Sequence, residues 1–275
     1  KFDRMKRIQI PFPTIQEQEK IANFLDKKTA LIDEIIADTK QSIEELKKYK
    51  QSLITESVTK GLTKNLEMKD SDIEWIGKYP FHWNINKINR LFEIKKEIAN
   101  ENGFDVLSVT QKGLKVKDLS KNEGQMAADY SKYQIVNKGD FVMNHMDLLT
   151  GWVDCSIFEG VTSPDYRVFR SRNSRIVNNS YYKYVFQTCY TNKIFYGLGQ
   201  GVSNLGRWRL QTDKFINFYI PVPPLEEQID IVQYLNEKEI EIDAIISDKE
   251  KIILELENYK QSTIYEYVTG KKEVL

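Results

Sequence analysis

The residues with the most chemical potential lie in one glycine-rich run, Gly197-Leu198-Gly199-Gln200-Gly201-Val202-Ser203-Asn204-Leu205-Gly206, followed at once by Arg207-Trp208-Arg209. Glycines at alternate positions can cradle a nucleotide phosphate. A P-loop also needs Lys-Ser/Thr and a following helix, and a dinucleotide site needs an acidic residue about 20 positions on; the run lacks these. Two readings stay open. Either a flexible backbone presses against DNA and offers Gln200, Ser203, Asn204, Arg207 and Arg209 to phosphates and base edges, or the run is an ordinary turn.

Other clusters are weaker. Arg167, Arg170, Arg172 and Arg175 fall close together. If Tyr166–Arg170 is a strand, Arg167 and Phe169 share one face, and Tyr166, Val168 and Arg170 the other. Neither face is purely basic, so some of these arginines are structural. Arg172 and Arg175, past the strand in a polar turn, are candidates to neutralise phosphates, with a solvated turn as the equal alternative. His82 and His145 are far apart and have no nearby Cys or Ser that would build a triad. His145 sits in Asn144-His145-Met146-Asp147, a loop able to approach DNA or simply to hold a structural histidine. Cys155 and Cys189 lack CxxC spacing, so a disulfide framework or a structural zinc is not expected, and a reduced compartment fits.

These residues need a scaffold, and 275 residues with 41% apolar side chains can bury a substantial core. No apolar run approaches the roughly 20 residues of a membrane helix, and no signal peptide opens the chain, so a soluble, cytoplasmic protein without membrane contact is expected. The zero net charge hides an asymmetry. Residues 63–219 hold 22 Lys+Arg against 17 Asp+Glu, whereas residues 220–275 hold 6 against 13. A basic middle meets an acidic, helix-like end.

An internal repeat organises the chain. Ile10–Thr59 recurs as Ile220–Thr269 at an offset of 210, with 24 of 50 positions identical, among them Pro11/Pro221, Pro13/Pro223, Gln18/Gln228, Asp33/Asp243 and Tyr49-Lys50-Gln51-Ser52/Tyr259-Lys260-Gln261-Ser262. Each copy predicts one long helix. Pro-x-Pro keeps the backbone ahead of it extended, acidic residues open it, and Gly61 or Gly270 stops it. An apolar stripe recurs at heptad spacing: Leu25, Ile32, Ile36, Ile43, Leu46 and Leu53 in the first copy, and Leu235, Ile242, Ile246, Ile253 and Leu256 in the second. Such a narrow stripe over about 45 residues predicts a coiled-coil seam rather than a helix laid on a core. Each helix would be about 65 Å long. One compact block connects the end of the first to the start of the second, and this favours antiparallel pairing.

The block itself predicts a mixed α/β domain, with strands at Phe104–Thr110, Asp140–Asn144, Trp152–Phe158 and Tyr166–Phe169 and a helix over Ser180–Thr191. The aromatic residues Tyr181, Tyr182, Tyr184 and Phe186 have helical spacing and are expected in the core. Trp208, between two arginines, is the tryptophan closest to the candidate chemistry. Thr212–Pro223 also resembles the opening FDRMKRIQIPFP, so residues 1–14 are expected to be the remnant of an upstream domain, and the start at Lys1 points to a fragment.

Pro-x-Pro-x-x-x-Glu-Gln leading twice into a heptad helix, around a block that ends Gly-Gln-Gly-Val-Ser-Asn-Leu-Gly-Arg, resembles the specificity subunit of type I restriction–modification systems. Asn137–Asp140 (NKGD), Leu148–Trp152 (LLTGW) and Ser163–Arg170 (SPDYRVFR) resemble the target recognition domains of that family. The resemblance implies an α+β protein: one mixed α/β recognition domain (62–219) and two helices (15–61 and 220–275) forming an antiparallel coiled coil. It implies a subunit that reads one half of a bipartite double-stranded DNA target while the coil sets the spacing. The implied partners are methyltransferase (modification) subunits, restriction/translocase subunits and, for a natural half-subunit, a second copy of itself.

No cofactor, metal or catalytic residue is expected. A methyltransferase needs Asn/Asp-Pro-Pro-aromatic, and Pro223-Pro224 stands between Val222 and Leu225. A metal-dependent nuclease needs an acid-x-Lys after Pro-Asp; Pro164-Asp165 has no such partner, and Asp213-Lys214 is out of register. The reading from a different class is a coiled-coil scaffold whose globular domain binds protein.

Overall fold

The computed structural model describes residues 11–118, 129–201 and 208–274. In chain order the elements are α1 (Ile15–Lys60), β1 (Met68–Asp70), β2 (Lys78–Pro80), β3 (Asn84–Lys87), α2 (Ile88–Leu91), β4 (Phe92–Lys95), β5 (Leu107–Thr110) and β6 (Gly113–Val116). There follow β7 (Gln134–Val136), β8 (Phe141–Met143), β9 (Val153–Cys155), β10 (Gly160–Thr162), β11 (Arg167–Ser171), α3 (Asn179–Thr191), α4 (Ile194–Gly197), α5 (Thr212–Ile216), β12 (Tyr219–Val222) and α6 (Leu225–Val268). Most of the expected remnant at residues 1–14 lies outside the described residues. The chain divides into two compact units, Lys1–Lys50 with Lys238–Leu275, and Gln51–Glu237.

The first unit consists of long stretches of α1 and α6. Leu25, Ile32, Ile36 and Ile43 on α1, and Ile242 and Thr263 on α6, are buried, while Leu46, Ile246, Ile253 and Leu256 are half-buried. Charged residues are frequent at the remaining positions of both helices, alongside exposed apolar residues such as Leu31, Ile35, Ile245 and Ile252. The ion pairs have a regular order: Lys50 Nζ lies 2.9 Å from Asp243, and Lys260 Nζ 2.6 Å from Asp33. The Phe24 ring meets Tyr267 at 4.6 Å, and the Lys28 ammonium lies 5.8 Å from the Tyr259 ring. Numbers rise on one helix as they fall on the other. Because Lys50 is equivalent to Lys260 and Asp33 to Asp243 in the repeat, the two ion pairs are one contact made twice. Burial alone would lower the Lys50 ammonium, but the hydrogen bond to Asp243 and the charge of Glu239 outweigh it and hold its pKa above the ordinary value.

The second unit contains a four-stranded antiparallel sheet, ordered β4-β11-β8-β9. Its core is aromatic. Phe92 meets Phe141, Phe169, Tyr182 and Phe186 edge-on at 5.1–5.8 Å, and Phe141 stacks on Phe169 at 5.0 Å. Each such ring removed from water contributes about 1.5–3 kcal/mol before entropic costs. The helix α3 is buried over most of its circumference, and all four aromatics expected in the core, Tyr181, Tyr182, Tyr184 and Phe186, are buried, together with Val185, Thr188, Cys189 and Tyr190. It starts one residue before the expected Ser180, because the Asn178 side chain accepts the backbone N–H groups of Ser180 and Tyr181 and caps the helix. Leu53 and Leu235, expected in the heptad stripe, join this aromatic core.

The predicted strands are all present; three are shorter than expected, while Tyr166–Phe169 is found as β11, which starts one residue later and runs on to Ser171. Phe104–Thr110 reduces to β5, because the backbone at Asp105 and Val106 bonds elsewhere: Asp105 accepts from Val161 and Val106 from Lys117.

Candidate nucleic-acid interface

The loop between β8 and β9 is shaped by one aspartate and one glycine. Asp147 accepts the backbone N–H groups of Leu149 and Thr150. Gly151 donates to the Asp147 carbonyl, and a Cβ at Gly151 would come within 2.0 Å of that oxygen, which explains the glycine in LLTGW. In the other quoted motifs, too, side chains serve local architecture. Asp140 closes the NKGD turn by accepting from Asn137 N–H and from the buried Lys95 ammonium at 2.9 Å, with Gly139 at φ +87°. Gln134 donates to the carbonyls of Ser163 and Tyr166 and so pins SPDY.

This loop supports the glycine-rich run. Leu148 N–H donates to the Trp208 carbonyl, and Leu210 N–H to the His145 carbonyl. Gln200 and Arg209 pair as an antiparallel bridge, N to O at 3.1 and 3.2 Å. The glycine spacing has a packing cause here. A Cβ at Gly199 would strike Leu148, and one at Gly201 would meet the Trp208 ring at 3.1 Å. Trp208 lies against this backbone and against Tyr196, ring to ring at 4.9 Å. The tryptophan therefore anchors the run, and the glycines make room for it.

Of the candidate contact residues, Gln200, Arg209 and His145 come together at this bridge, with the side chains of Gln200 and Arg209 exposed. Ser203, Asn204 and Arg207 lie outside the described residues. His145 is buried, 7% exposed, and its Nδ1 has no hydrogen-bond partner among the described residues. Burial first, then the Arg167 and Arg209 guanidinium groups, push its pKa down to about 3, against the pull of the Met143 carbonyl. The imidazole is neutral at physiological pH.

Arg172 and Arg175 belong to a different neighbourhood. Arg172 donates through Nε to the carbonyls of Asn89 and Phe92 and reaches Glu93 at 3.1 Å. Arg170 takes the other Glu93 oxygen at 2.8 Å, and that hydrogen bond holds the Glu93 carboxyl below its ordinary value. Arg172 therefore ties β11 to β4 from a half-exposed position. Arg175 is exposed, with its backbone N–H held by Asn173.

Arg167, named in the arginine cluster but not among the contact candidates, is one of the structural arginines. It is 4% exposed, donates to the Leu210 carbonyl at 3.0 Å and the Thr212 hydroxyl at 3.3 Å, and its guanidinium lies 4.6 Å from the Phe215 ring. The alternation that put Arg167 on the same face as Phe169 was the available signal. Among the described residues no cluster of three or more His, Cys, Asp or Glu could hold a metal ion, and no helix is long and apolar enough to cross a membrane.

Residues 64–258 match the family model described as the type I restriction modification DNA specificity domain. The chain belongs to this family. It is similar to the MjaVIII type I restriction enzyme specificity subunit of Methanocaldococcus jannaschii, 26% identical over 286 residues that cover 98% of this chain and 63% of that protein. Its fold is similar to a solved chain described for the assembly and conformational transition of a type I R-M system (TM-score 0.67, 14% identity, 96% of this chain and 62% of the other). It is also similar to the HsdS subunit from Thermoanaerobacter tengcongensis (TM-score 0.54, 15% identity, 96% and 61%). At those identities the structural likeness speaks for the fold, an HsdS-like arrangement of mixed α/β content with long helices. The chain spans just under two thirds of the length of these relatives.

Proposed function

We propose that this type I specificity-family chain reads one half of a bipartite double-stranded DNA target and performs no chemistry itself. The observation that carries the reading is the family match over residues 64–258. The exposed Gln200 and Arg209 beside the β8–β9 loop, on a block with more cations than acids, are suited to phosphate and base-edge contact. In this reading residues 62–219 are the target recognition domain, and the segments 15–61 and 220–275, which contain α1 and α6, supply the helices of an antiparallel coiled coil. The duplicated Lys–Asp pairs and the buried heptad stripe support that pairing.

The coil would set the distance between two half-sites. Its exposed Ile35, Tyr49, Ile245, Ile252 and Tyr259 give methyltransferase subunits apolar surface on which to dock. Methyl transfer and cleavage then belong to those subunits and to restriction/translocase subunits. Co-expression with a type I methyltransferase subunit of the same genome, followed by mapping of methylated adenines, tests the reading. The expected result is methylation in a two-part motif with a fixed gap. Absence of new methylation together with no duplex affinity at low salt would overturn it.

A further inference from the structure

The interior beneath the Gln200–Arg209 bridge holds a cation without an acid. Arg167 has no carboxylate within ion-pair distance among the described residues, and its guanidinium rests on a carbonyl, a hydroxyl and the Phe215 ring. A guanidinium removed from water in this way costs several kcal/mol unless an anion compensates it. The neighbouring groups do not supply one. His145 is neutral, Tyr190 donates its hydroxyl to the Asn144 carbonyl, and burial keeps that phenol from ionising. The next charged side chain outward, Arg209, has the same sign. The acid on the adjacent loop, Asp147, engages the backbone of Leu149 and Thr150 and the Thr150 hydroxyl.

Two cations that both act on one neutral, partly unsatisfied imidazole describe a seat for a negative charge. We infer that Arg209, backed by the buried Arg167 and by His145, takes a backbone phosphate of the nucleic acid, with Arg209 as the contacting group and Arg167 as a positioning residue. Arg167 acts in two ways. Its hydrogen bonds to Leu210 and Thr212 hold the segment that presents Arg209, and its uncompensated charge keeps the seat electropositive. The phosphate contact fixes register and carries no sequence information, so its loss weakens binding alike across sequences. This inference rests on the DNA-reading proposal for the ligand but not for the seat.

The test uses the full chain and two probes, a short duplex and inorganic phosphate. Duplex affinity is measured against salt for the native chain, Arg209→Ala, Arg167→Met and Arg167→Lys, with thermal melting as the fold control. The log–log slope is expected to fall by about 0.9 in Arg209→Ala and by a similar amount in Arg167→Met, and to be retained in Arg167→Lys. A purely structural Arg167 would not make the slope follow the charge. In parallel, phosphate is titrated into the native chain while the Arg167 Nε–H and His145 ring resonances are followed, the latter assigned by loss in His145→Gln; both are expected to move.

Folded Arg167→Met with an unchanged slope overturns the seat and leaves DNA reading standing. No duplex affinity, with phosphate still moving both resonances, overturns DNA reading and leaves the seat. No response to either probe removes both. Should Arg167→Met fail to fold, the phosphate titration of the native chain decides.

Discussion

The two copies of the repeat start their helices with the same Glu-Gln pair and use it in opposite ways. At the start of α1, Thr14 and Glu17 cap each other: Thr14 N–H and hydroxyl both donate to the Glu17 carboxylate at 2.8 Å, which holds that carboxyl below its ordinary value. The Gln18 side chain donates to the Pro13 carbonyl and stays exposed beside Phe12 and Ile15, themselves 89% and 73% exposed. At the start of α6, Pro224 replaces Thr14, so no such cap forms. Glu227 instead accepts the Trp83 indole N–H at 2.9 Å and pairs with His82 at 2.6 Å. Gln228, fully buried, repeats the bond to its own Pro223 carbonyl and adds two more, accepting from Asn178 N–H and donating to the Ile176 carbonyl. Self-capping is what this motif does with its own chain. Anchoring a globular domain is what it does when that domain brings a backbone donor, a backbone acceptor and an indole to it.

Farther along, the copies become equivalent again, and the largest expected effect probes that. Ile36→Asp puts a carboxylate into the buried stripe and should cost about 3–4 kcal/mol, with its repeat counterpart Ile246→Asp close behind. Melting followed by circular dichroism checks this. Unaltered melting in either variant would exclude a buried seam. Next, Gln228→Ala leaves the Asn178 N–H and the carbonyls of Ile176 and Pro223 without this partner and should cost about 3 kcal/mol in denaturant unfolding of the second unit, while Gln18→Ala should leave it unchanged. Equal effects would erase the contrast between the two starts. Glu227→Ala, which leaves the fully buried Trp83 without its acceptor, should cost about 1.5 kcal/mol, and Glu17→Ala nothing measurable in that unit.

How far the sequence spoke for itself depended on the range of the interaction. The repeat, the helix lengths and the buried aromatics of α3 follow local rules of period and punctuation, so they could be read directly. The strands of the sheet could be located but not bounded, since β5 ends where its backbone takes partners from Gly160–Thr162 and Lys117. The candidate interface was half legible. Gln200 and Arg209 are exposed at the bridge as residues offered outward must be. The glycines, however, carry two meanings that composition cannot separate, and the Trp208 ring packed on Gly201 shows which constraint acts at the described end of the run. Strand alternation places Arg167 on the Phe169 face, among arginines some of which are structural, but its particular role was out of reach. Its role depends on Leu210 and Thr212, more than forty residues away, which no local pattern links to it.

The smallest expected effect tests the duplication most directly. Lys50–Asp243 and Lys260–Asp33 are equivalent pairs on partly exposed surface, so each should stabilise by only about 0.5 kcal/mol, and less as salt rises. Single reversals, Lys50→Asp or Asp243→Lys, place like charges opposite each other and should destabilise slightly, while the double swap should restore the native melting. A coupling energy from the four-variant cycle isolates the pair from background effects. The same cycle on Lys260 and Asp33 should return a coupling of the same sign and similar size, although Lys50 also reaches Glu239 at 3.2 Å, where the repeat puts Thr29 beside Lys260. One coupled pair and one uncoupled pair would mean that the helices match at only one end. Two uncoupled pairs would mean that the reciprocal order of contacts has no energetic basis, and the antiparallel reading would then rest on the buried stripe alone.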